Sequence, residues 1–212
     1  VTEFQTAVTT FLTNRNLSNL QLAQEKWSAA FLAFKRVNAY NFGPAGEDGL
    51  RKTLQEELAT FPISDSKMQN ILNGAAYNLN DFNRDARGFL AIEYLLFSRT
   101  MSPDDLLASF DSAPRRDYLL ALTADVLSRI STVKQAWTSS YRSSFVSNNG
   151  TDAGSSTSLL YNEFVKSYEN LKNFQLGLPC GLRPGQTGVA PNLVEAYHSG
   201  QSTSFIKAQM AS

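Results

Sequence analysis

Apolar positions recur along most of this chain at helical spacing, and nowhere do they alternate as strand residues do. Over residues 2–14 the spacing Phe4, Val8, Phe11, Leu12 predicts a helix that breaks at Asn14-Arg15-Asn16. Ser18 with Gln21 has the form of a capping box. Leu22, Trp27, Phe31, Phe34 and Val37 then carry an apolar stripe to about residue 40. Gly43-Pro44 within 42–46 stops that pattern, because proline cannot continue a helix. Residues 50–61 form a short amphipathic segment ended by Pro62, and Ser64 or Asp65 can cap a helix carrying Met68, Ile71 and Leu72.

After a polar stretch at 78–85 comes the densest apolar run, residues 88–97, in which Glu93 is the single charged side chain. On a helix, Gly88, Ala91 and Leu95 share one face, Phe89, Ile92 and Leu96 the next, and Leu90, Glu93 and Phe97 a third. No face is polar, so the segment is expected to be buried. A buried carboxylate must meet a cation, accept hydrogen bonds or keep its proton. A structural arginine such as Arg87 or Arg36 is the simplest partner. Gly88, just upstream, suits close approach of a neighbouring helix more than contact with a ligand.

Ser102-Pro103-Asp104-Asp105 marks another helix start. Ser112 and Pro114 open the longest element, whose stripe Tyr118, Leu119, Leu122, Val126, Ile130, Val133 and Trp137 runs to about residue 145. Residues 147–158, rich in serine, asparagine and glycine, read as a connection, and we place a domain boundary there. The expected organisation is an N-terminal helical bundle over 1–146 and a partial second bundle over 147–212. In the latter, residues 159–174 carry Leu160, Phe164, Tyr168 and Leu171 along one side. A loop rich in glycine and proline spans 178–191, and short helices are expected at about 192–198 and 202–211. The pattern runs on to Ser212 without a stop signal, which reads as an incomplete second bundle. The fold class is all-α.

Nineteen basic and nineteen acidic residues balance, which argues against nucleic acid as a partner. The lone Cys180 excludes an internal disulfide and has no adjacent base to make it a nucleophile. No apolar run reaches the roughly twenty residues of a spanning helix, and no signal peptide opens the chain. Trp27 and Trp137 lie on apolar stripes and are assigned to packing. His198 is the single histidine, and Glu195 lies three positions before it, on the helix expected at 192–198.

Several segments, in this order, resemble the imelysin family, which includes periplasmic iron-uptake proteins. They are Ala23-Gln24-Glu25-Lys26-Trp27, Asn41-Phe42-Gly43-Pro44, Phe61-Pro62 and Arg87-Gly88-Phe89-Leu90-Ala91-Ile92-Glu93-Tyr94-Leu95-Leu96-Phe97. Tyr118-Leu119, Leu178-Pro179 and Val194-Glu195-Ala196-Tyr197-His198-Ser199 follow. The resemblance implies two packed helical bundles and export to the bacterial periplasm or anchoring at the outer membrane, the membrane contact being made through an N-terminal lipid anchor. It also implies a Gly-x-His-x-x-Glu motif, of which Gly88 and Glu93 match while Leu90 stands at the histidine position. Leucine cannot ligate a metal, and a hydrolytic zinc site needs about three protein ligands.

Glu93 and His198 are therefore the candidate metal ligands, with a divalent metal or iron as the implied cofactor. Gly88, Glu93, Glu195 and His198 are the candidate ligand-binding residues, and no residue is assigned a catalytic role. The leading expectation is a non-catalytic protein that binds a small ligand, a metal or a protein partner in the cleft between bundles, in iron or haem acquisition. A metallopeptidase and a structural surface lipoprotein are the alternatives.

Overall fold

The computed structural model describes residues 1–47, 50 and 52–211, and among these every regular element is helical. Arg51, within the expected 50–61 segment, and the terminal Ser212 lie outside the described residues. The helices are α1 (Thr2–Thr13), α2 (Leu17–Lys35), α3 (Leu54–Leu58), α4 (Asp65–Leu72), α5 (Gly88–Leu96), α6 (Pro103–Ser109), α7 (Ala113–Ala136), α8 (Arg142–Ser147), α9 (Ser156–Asn170) and α10 (Ser202–Met210). Local chemistry sets the starts of several. Asn16 caps α2 by accepting from the Asn19 N–H at 2.9 Å, where the sequence had suggested Ser18 with Gln21. Thr53 and Glu56 form a reciprocal capping box on α3, and Ser102 with Pro103 opens α6.

Helices α1, α2, α5 and α7 pack around a shared interior, α1 against α2 and α7 and α5 against α2 and α7. The aromatic interior includes Phe4, Phe11, Trp27, Phe31, Phe89 and Phe110, all essentially without solvent contact. Every residue of α5 except Tyr94 is buried. Surrounding helices therefore satisfy the polar groups around it. The Trp27 indole N–H donates to the Phe89 carbonyl at 2.9 Å, Gln24 donates to the Leu96 carbonyl at 2.6 Å, and Arg115 donates to the Leu95 carbonyl at 2.6 Å. Gly88 sits at φ +74°, and a Cβ there would lie 2.3 Å from the Leu58 carbonyl oxygen, so glycine lets α3 and α5 touch backbone to backbone.

The structure departs from the periodicity in several places. Helix α2 ends at Lys35, followed by a 3-10 turn at Asn38–Tyr40, and Leu22 and Val37 are exposed while Leu20 and Ala23 carry the buried stripe. The long helix passes at Trp137–Tyr141 through a π turn into α8, and α9 ends in a second π turn at Leu171–Leu176. Of the stripe on α9, Leu171 is buried but Phe164 and Tyr168 face solvent. No helix forms at 192–198. A 3-10 turn at Pro191–Leu193 leads into irregular turns in which Ala196 adopts φ +57°, a left-handed conformation that a helix excludes. Beyond it, Phe205 of α10 packs on Trp27 and Phe31 at ring distances of 5.8 and 4.8 Å.

Candidate functional site

Glu93 projects from the last turn of α5 toward the 194–200 turns and is 2% exposed. Neither expected arginine reaches it. Arg36 is exposed, and Arg87 pairs instead with the buried Glu57, which also holds Arg84 at 3.0 Å and Arg129 at 3.2 Å. The backbone N–H of Ser199 donates to Glu93 Oε1 at 2.7 Å. Burial drives the carboxyl pKa up to about 7; hydrogen bonds from Ser199 and the His198 backbone oppose that rise, and the nearby Glu195 reinforces it. Near neutral pH this group is thus divided between its charged and neutral forms.

Glu195 points away into the interior. Its Oε1 meets Lys35 Nζ at 3.0 Å, both side chains are fully buried, and Oε2 has no hydrogen-bond partner among the described residues. The pair ties the end of α2 to the 194–200 turns. Two anchors, Glu195 on Lys35 and the Ser199 amide on Glu93, fix the turn on either side of Ala196. That arrangement is what allows a non-glycine residue to hold a positive φ.

His198 is half-buried between two tyrosines, Tyr94 at 4.9 Å and Tyr197 at 5.3 Å, in edge-on contact with both. Burial lowers its pKa, with Asp65 pulling the other way and Arg99 adding to the fall, so the folded environment favours the neutral imidazole. Glu93, His198 and Asp65 line one cavity of about 110 Å³, walled by Leu90, Ile63 and Leu193. That is well below the roughly 300 to 1,000 Å³ of drug-sized ligand sites and suits a small group.

Of the sequence-predicted residues, Glu93 and His198 meet in this cavity, while Glu195 and Gly88 do not line it. Glu195 occupies the interior ion pair, and Gly88 faces Leu58. Sequence reasoning missed Lys35, Ser199 and the site role of Asp65. Lys35 had a legible signal, since a lysine four residues after Phe31 falls on the buried face of α2. Among the described residues no three His, Cys, Asp or Glu side chains stand close enough to hold one metal ion. These residues therefore do not assemble the donor set of a resident hydrolytic zinc.

The fold is thus a helical bundle with a buried carboxyl on α5, docked beneath a turn bearing a histidine. A model of the imelysin family (Peptidase_M75) matches residues 1–212, and the chain belongs to that family. Its fold is similar to a crystal structure from Parabacteroides distasonis described as "a putative iron-regulated protein A precursor", with a TM-score of 0.75 and 18% identity over 99% of this chain. The match covers 64% of that longer chain, so this sequence spans under two thirds of its length. Nothing among curated proteins matches.

Proposed function

We propose that this chain is a binding member of the imelysin family that takes a small ligand or an iron-bearing cargo at the Glu93–His198 cavity in bacterial iron acquisition. The carrying observation is that the carboxyl and the imidazole line one small cavity in which, among the described residues, no three His, Cys, Asp or Glu side chains stand close enough to hold one metal ion. A half-protonated carboxyl and a neutral imidazole can each donate or accept a proton toward a bound group. The name of the P. distasonis neighbour favours iron as the context, and export to the periplasm or outer membrane belongs to the same proposal. So does the division at residues 146 and 147, with α10 returning to pack on α2.

The test is calorimetric titration of the full-length protein with ferrous, ferric, zinc and copper ions, repeated with Glu93→Gln and His198→Ala. Uptake by the parent that both variants lose supports cargo binding here. No uptake, or equal uptake by the variants, removes metal from the proposal. The family's peptidase name favours one second reading, hydrolysis. Chelator-sensitive cleavage of an unfolded substrate would establish it over binding.

A further inference from the structure

A second cavity, of about 480 Å³, opens between the C-terminal halves of α2 and α7 and shares no lining residue with the Glu93 cavity. Its walls are almost wholly apolar: Phe34 and Val37 on one side, Ile130, Val133 and Trp137 on the other. The volume falls in the range of small-molecule sites, roughly 300 to 1,000 Å³. Trp137 begins the π turn that follows α7. It is held edge-on by Tyr141 at 4.7 Å and Phe145 at 5.5 Å, so this wall is fixed by aromatic packing. Such π turns are rare and recur at functional sites.

Among the described residues, Lys134 is the one charged side chain lining the cavity. It is exposed in the last turn of α7 and makes no ion pair within the described structure. An apolar chamber with one uncommitted ammonium selects an apolar body with a single negative group. We infer that this cavity is a binding site for a long-chain carboxylate, with the hydrocarbon between Phe34, Val133 and Trp137 and the carboxylate at Lys134.

The full-length protein is titrated with cis-parinaric acid, reading energy transfer from tryptophan, and the probe is then displaced with dodecanoate or with dodecanol. Ala33 lines the cavity on the exposed side of α2, so Ala33→Trp fills the chamber without entering the core. Saturable binding of one probe per chain is expected, weakened at least about tenfold by Ala33→Trp. Lys134→Glu should weaken dodecanoate about fivefold, the worth of one exposed ion pair, and leave dodecanol unchanged. Circular dichroism verifies that both variants are folded. Absence of saturable binding, or parental affinity in a folded Ala33→Trp, overturns the site. Dodecanol displacing as well as dodecanoate, or indifference of dodecanoate to Lys134→Glu, overturns the anionic class.

Discussion

Replacing Glu93 by glutamine should flatten the dependence of stability on pH. In the folded chain burial holds the carboxyl pKa at about 7, against an ordinary value of 4.5. Between these values the folded protein keeps a proton that the unfolded chain releases, so stability is greatest below pH 4.5 and falls as pH rises toward 7. From pH 5 to pH 8 that loss amounts to about 2 to 3 kcal/mol. Glutamine keeps a carbonyl oxygen for the Ser199 N–H and has no proton to lose. Urea unfolding of parent and Glu93→Gln at pH 5.0 and 8.0 gives four free energies whose double difference cancels every other titrating group. The variant should gain about 2 to 3 kcal/mol relative to the parent at pH 8 over its relative stability at pH 5. A double difference near zero would refute a buried carboxyl with a raised pKa.

Gly88→Ala should cost about 2 to 5 kcal/mol in the same assay, because the new methyl meets the Leu58 carbonyl at 2.3 Å and the backbone is left-handed; a cost under 1 kcal/mol would contradict that packing. Lys35→Met leaves the Glu195 carboxyl unpaired in the interior, a loss of about 3 to 5 kcal/mol, and adding Glu195→Gln should recover much of it. No recovery in the double variant would mean that the lysine acts through packing alone. Trp27→Phe forfeits the bond to the Phe89 carbonyl and should cost about 1 to 3 kcal/mol, measured by urea unfolding. The lowered His198 pKa works opposite to that of Glu93, because its neutral form is favoured by folding. Its contribution is lost as pH falls below the ordinary value of 6.5, so His198→Gln should be more stable relative to the parent at pH 5 than at pH 8.

Most helices, and the burial of α5, were legible because a run with no polar face has nowhere to go but the interior. Gly88 as a packing residue was legible for the same reason. What periodicity could not show was the route of the backbone through 192–200. Val194, Tyr197 and His198 have helical spacing, but the two buried anchors hold the segment in turns with Ala196 left-handed. Pairing over such distances leaves no local trace. Arg87 precedes α5 by one residue, yet it turns to Glu57, where Arg84 and Arg129 converge. Glu93 is left to hydrogen bonds from Ser199 and the His198 backbone and to its own proton. The exposure of Phe164 and Tyr168 likewise depends on what packs against α9, which its own sequence does not state.

The most direct measurement is titration of the Glu93 side-chain carboxyl by carbon-13 NMR, assigned by its disappearance in Glu93→Gln. A midpoint near pH 7 is the predicted result. A midpoint near 4.5, the behaviour of a solvated glutamate, would contradict the enclosed carboxyl on which the binding site rests.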